Sequence, residues 1–171
     1  MVLVQASDLI ALFRLEGNAE NAWKLGFQTD TSADESRAFE TTITKDRKVK
    51  TPGEYDATHS ITSLLAKNDT QIKQMKEQVR AKQPKRLEVW LIDRSDISDE
   101  DTTTIPGDYS IDVITNVSPS AGSEGNVEYT IKTEVEEGVV SGDVTVTPEL
   151  RAILLDIANE LEFVQPMATE E

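Results

Sequence analysis

The stretch that decides the fold runs Asp108-Tyr-Ser-Ile-Asp-Val-Ile-Thr-Asn-Val117, then Asn126-Val-Glu-Tyr-Thr-Ile-Lys-Thr-Glu-Val135, then Gly138-Val-Val-Ser-Gly-Asp-Val-Thr-Val-Thr147. In the second run Val127, Tyr129, Ile131 and Thr133 alternate with other residues and would share one face. A period of two marks a strand, because successive side chains leave opposite sides of the pleat. The joins, Ser118-Pro-Ser-Ala-Gly-Ser-Glu-Gly125 and Glu136-Glu-Gly138, are rich in turn formers. Three successive strands with no helix between them predict antiparallel pairing.

Upstream, Arg86-Leu-Glu-Val-Trp-Leu-Ile-Asp93 reads as a central strand, and Ser95 to Gly107 as an acidic loop. Before it, Asn68 or Asp69 can cap a helix in which Ile72, Met75 and Val79 fall at helical spacing, and Pro84 closes the segment. The apolar run Asp8 to Leu15, ended by Gly17-Asn18, is a further strand, and Trp23, Leu25 and Phe27 would share a face of another. Thr29 to Ser36 is polar and reads as a loop. Arg37 to Thr44 and Lys48 to Thr62 follow as a threonine-rich ribbon with few large apolar side chains, which pleats well but offers little core of its own. A last helix opens at Thr147-Pro148-Glu149 and places Leu150, Ile153, Leu154, Ile157 and Leu161 on one side. The tail 163–171 is expected to be an exposed arm. These elements predict one mainly β domain over 1–171 with minor α content. The expected architecture is an antiparallel sandwich or barrel flanked by one or two helices, with an extended ribbon over 29–55.

Composition narrows the function. The chain has 171 residues, no cysteine and a net charge of -15. Disulfides and thiolate metal sites are excluded. Met1 to Asp8 lacks a basic segment followed by a long apolar one, so no signal peptide is expected. No apolar run approaches the ~20 residues a membrane helix needs. The charge is split: residues 45–86 carry 11 basic and 5 acidic groups, while residues 87–171 carry 3 basic and 20 acidic. So acidic a chain repels phosphate backbones. The basic cluster has only Tyr55 nearby as a stacking group, which argues against nucleic-acid binding. Opposite charge on two segments suits contact between copies.

Catalytic and metal motifs are weak. His59 is the sole histidine, and Ala121-Gly-Ser-Glu-Gly125 lies between strands instead of at a strand-to-helix elbow. An EF-hand beginning at Asp96 fails, with Asp101 and Gly107 at the positions of its Gly and Glu. A looser calcium site at Asp99, Asp101 and Asp108 is an alternative to a solvated loop. There is no phosphate-cradling glycine pattern. No catalytic residue, cofactor site or metal site is expected.

The chain resembles the major tail protein, or tail tube protein, of long-tailed non-contractile bacteriophages of the type found with Gram-positive hosts. The resemblance rests on Asp8-Leu-Ile-Ala-Leu-Phe-Arg14, Ala22-Trp-Lys-Leu-Gly-Phe-Gln-Thr-Asp30, Lys45-Asp-Arg-Lys-Val-Lys-Thr-Pro-Gly-Glu-Tyr55 and Arg86-Leu-Glu-Val-Trp-Leu-Ile-Asp93. It covers essentially the whole chain. It implies a non-enzymatic virion protein, made in the host cytoplasm, that forms stacked hexameric rings. The stack would pass double-stranded DNA without binding it and would meet tape measure, tail terminator and distal tail or baseplate proteins, with no membrane partner. On this reading Lys45, Arg47, Lys48, Lys50 and Tyr55 are candidate contacts between subunits, and Asp112, Glu128, Glu134 and Asp143 are candidates for the lumen wall. A capsid decoration protein, a tail-completion factor or a small carbohydrate- or peptide-binding module are the alternatives. The nine aromatic residues sit mostly at core-like positions, which weakens the last.

Overall fold

A computed structural model of the chain describes residues 3–5, 8–18, 22–24, 27–65, 69–97, 101–152 and 154. The strands are β1 (Leu9–Leu15), β2 (Trp23–Lys24), β3 (Phe27–Ile43), β4 (Lys48–Leu64), β5 (Leu87–Asp93), β6 (Thr104–Ser120), β7 (Glu128–Val135) and β8 (Val140–Thr145), with helix α1 (Thr70–Arg80) between β4 and β5. They form one antiparallel sheet in the order β2-β1-β5-β6-β7-β4-β3, with β8 also on β6. The mainly β expectation holds, in the form of a single curled sheet that does not close into a barrel. Beyond the short β2, the edge of β1 nevertheless meets β3. The Gln28 side chain, on β3, accepts a hydrogen bond from Ala11 N at 3.1 Å and donates to Ala11 O at 2.7 Å. One amide thus bridges the edges that a ladder would join in a closed barrel.

Curling gives the sheet an inside and an outside. Ala11, Phe13 and Leu15 of β1 and Leu87 and Val89 of β5 form one core with Ile61, Ile114 and Ile131 from the other half, and Ile72 and Met75 of α1 pack into it. The opposite side of β1 and β5 is also buried. Ile10, Leu12 and Ile92 pack with Ile105, Val146, Leu150 and Leu154. That is why β1 reads as a continuous apolar run: both of its faces are covered. α1 begins where Asp69 accepts hydrogen bonds from the backbone N–H of Gln71 and Ile72, both at 3.1 Å. Val79 departs from the expected stripe and is 43% exposed.

Three other expectations are corrected. Thr29 to Ser36 is not a loop but the middle of β3. It pairs with β4 from Asp30 onward, after a bulge at Thr29, and as an edge strand it can be polar on both sides. The loop ahead of β6 is shorter than read, because a 3-10 turn at Arg94–Asp96 opens it and β6 already starts at Thr104. The last three strands are not a meander. β8 pairs with β6, not β7, so β7 and β8 lie end to end along one side of the 17-residue β6. A jog containing Gly138 at φ 104° joins them without reversing the chain. Finally, the shared face proposed for Trp23, Leu25 and Phe27, most of the last helix and the 163–171 arm lie outside the described residues or side chains. The described part of that helix starts at Pro148, with Thr147 Oγ1 accepting from Leu150 N at 3.2 Å.

Candidate assembly surfaces

β4 pairs with β7 only from Thr58 to Leu64. The rest of β4, Lys48 to Ala57, has β3 as its only strand partner among the described residues, so β3 and β4 leave the sheet as a two-stranded ribbon. At ~3.3 Å per residue its ten β4 residues extend about 33 Å. The base is braced: Tyr55 Oη donates to Glu35 Oε2 at 3.0 Å, and the Arg37 guanidinium lies over the Tyr55 ring at 5.5 Å. At the tip Thr44 Oγ1 donates to Arg47 O at 2.8 Å, closing a turn that carries Lys45, Asp46 and Arg47. Lys45, Arg47, Lys48 and Lys50 are exposed and form no ion pair among the described residues. Tyr55 differs from them, since its hydroxyl is already engaged within its own chain.

Residues opposite one another in an antiparallel ladder share a face. On the ribbon, Phe39 lies opposite Pro52, Thr41 opposite Lys50 and Ile43 opposite Lys48. This face is apolar and basic together, with Phe39 59% and Ile43 74% exposed. The other face continues the outside of the sheet. There Asp30 pairs with Thr62 and Thr62 with Thr130, Ser32 with Ser60 and Ser60 with Lys132, Asp34 with Thr58 and Thr58 with Glu134. Glu128, Ser118 and Asp56 fall on the same side by register. The result is a wall of hydroxyls and five carboxylates with a single lysine. Thr62 and Thr130 hydroxyls meet at 3.0 Å across it.

The four acidic residues read as lumen candidates therefore separate. Glu128 and Glu134 stand on this wall. Asp143 is exposed on β8, away from it. Asp112 is corrected outright: its side chain is fully buried. It accepts from the hydroxyls of Ser110, at 2.6 Å, and Thr133, and lies 2.7 Å from His59 Nδ1. This places His59, expected as an ordinary strand residue, in a buried polar cluster where β4, β6 and β7 meet. The sequence reading missed Asp30, Asp34 and Asp56. Their signal was present, since Asp30-x-Ser32-x-Asp34-x-Ser36 alternates, but it is an alternation without apolar residues.

A cleft of about 380 Å³ opens on the outside of the sheet between Arg14, Glu88, Trp90, Tyr109, Val140 and Asp143. Trp90 and Tyr109 rings lie 5.3 Å apart, and Arg14 sits over Trp90 while its Nε holds Glu88 at 2.6 Å. Arg14 holds the Glu88 carboxyl below its usual range, and burial followed by the Glu88 hydrogen bond pushes the Tyr109 hydroxyl up to about 12. Gly107 is required beneath the cleft, because a Cβ there would come within 2.9 Å of Ile92 and Val144 methyls. Among the described residues no acidic or histidine cluster could hold a metal ion, and no helix is long and apolar enough to cross a membrane. Asp99 of the loose calcium site lies outside them.

The profile of a family described as phage tail tube protein matches residues 3–141. The chain belongs to the phage tail tube protein family. No curated protein matches it. Solved structures repeat the fold. The SPP1 tail tube, determined by solid-state NMR and cryo-EM, aligns with TM-score 0.69 at 15% identity, covering 90% of this chain and 86% of that one. The tail of the empty gene transfer agent particle, refined with C6 symmetry, aligns with TM-score 0.60 at 11% identity, covering 81% and 98%. A sheath/tube terminator of an extracellular contractile injection system gives TM-score 0.60 at 11% identity, covering 78% and 93%. The protein is thus a structural component of phage virions, built on the fold these tubes share.

Proposed function

We propose that copies of this tail tube protein form hexameric rings that stack through the ribbon into a hollow conduit for double-stranded DNA. The whole chain acts as one tube-forming unit without catalysis. It is made in the host cytoplasm and meets tape measure, terminator and distal tail proteins at the ends of the stack. The observation that carries this reading is the two-sided sheet. Its inside carries the main apolar core, and the outside of β3, β4 and β7 is the hydroxyl and carboxylate wall of Asp30, Asp34, Asp56, Glu128 and Glu134. DNA carries one negative charge per ~1.7 Å, so a wall of this sign lets it slide where a basic one would hold it. The C6 symmetry of the gene transfer agent tail supports six copies per ring.

Negative-stain images at rising concentration should show long hollow rods; closed rings or monomers at every concentration would refute the stacking. Rods of Glu128→Lys/Glu134→Lys should retain DNA fragments that unsubstituted rods release, and equal release from both would remove these residues from the bore.

A further inference from the structure

The ribbon's apolar face, with Phe39 59% and Ile43 74% exposed, has nothing packed on it among the described residues. Two clefts on the described part of the body are candidates to receive it. One is lined by Lys76, Val79, Arg80, Val117 and Pro119, and its two cations repel a basic tip. The other is the Trp90–Tyr109 cleft, whose rim carries Asp143 and the 64% exposed Val140. The β8 strand beside it has β6 as its only partner among the described residues. The cleft begins next to the ribbon's base, since Tyr55 Cε1 would lie 3.8 Å from a Cβ on Gly138, two residues before Val140. The tip is far from that base: Lys48 is seven residues from Tyr55, about 23 Å along a strand. A chain therefore holds its tip away from its own cleft.

Resting on the tube reading above, we propose that the Phe39–Ile43 face of one copy seats in the Trp90–Tyr109 cleft of the next, with Lys48 and Lys50 over Asp143. Phe39 or Ile43 supplies the apolar anchor and the aromatic pair its pocket, the arrangement that dominates interface energies. The lysines give the contact its direction and encounter rate. Because donor and acceptor are different surfaces of one molecule, the contact repeats without closing.

The chain has no cysteine, so engineered pairs are read without background. Ile43→Cys/Val140→Cys, assembled and then oxidised, should give a ladder of covalent oligomers on a non-reducing denaturing gel. Ile43→Cys/Val79→Cys, which aims the tip at the basic cleft, should give none. Lys50→Glu and Asp143→Lys should each slow assembly roughly tenfold, and the double variant should recover most of it. Rods that form while the Val140 pair gives no ladder, or in which the Val79 pair gives one, overturn this docking and leave the tube reading standing. An unsubstituted chain that never forms rods overturns both.

Discussion

Asp112 shows how one carboxylate can serve the inside of a protein whose surface is crowded with them. Its oxygens are matched by Ser110, Thr133 and His59, and none reaches solvent. Removing one member of such a cluster strands the others in a medium that cannot solvate them. Asp112→Ala should lower unfolding free energy by roughly 3–5 kcal/mol, read from denaturant midpoints, whereas exposed Glu134→Ala should change it by less than about 0.5 kcal/mol. Tyr109 gives a second test at this scale. Its hydroxyl ionises near 12, above the ordinary tyrosine value. The folded state keeps that proton longer than the unfolded chain, so its contribution is intact below pH about 10 and is lost as pH rises towards 12. In a tyrosinate absorbance titration Tyr109→Phe should delete the highest-pH step and flatten the alkaline loss of stability. Neither role was legible in advance. Ser110, Asp112 and Ile114 alternate like any strand residues, and only burial separates Asp112 from an outward acid.

Elements marked by apolar residues were the most legible, and the wholly polar edge segment was not. β5, β7 and α1 announced themselves through apolar periodicity, and Asp69 through its place before the first helical turn. Residues 29–36 hid a strand because neither face of that edge strand packs on a core, leaving β-pairing with nothing hydrophobic to mark it. β8 was visible as a strand but not in its pairing, since a four-residue jog between collinear strands looks in sequence like a tight hairpin. The ribbon is an element whose removal should leave the body intact. Arg37 and Tyr55 are a paired position, so an Asn-Gly turn can join them directly in place of 38–54. The shortened chain should melt within a few degrees of the full one, because its core is untouched, and should form no rods on a grid.

For the whole molecule, charge is distributed by face more than by segment. The uneven count along the chain reflects a basic ribbon tip together with the cations of α1 and the turn after it, while the acid-rich remainder divides among a wall, a buried cluster and scattered ion pairs such as Arg86 with Glu16 and Glu136. Contacts between such exposed charges are screened over ~8 Å at physiological salt. Assembly, followed by light scattering, should therefore slow as sodium chloride rises. Rods already formed should persist, because seated Phe39 and Ile43 side chains are insensitive to screening.

The Gln28 bridge to Ala11 gives this wall a particular mechanics. Among the described residues the long strands are stitched by rows of main-chain bonds that fail together, whereas along this line one side-chain amide holds two edges in place. A pull across the subunit meets least resistance there, so the molecule has a seam, and a cylinder built of such pieces bends by parting its seams slightly instead of tearing its strands.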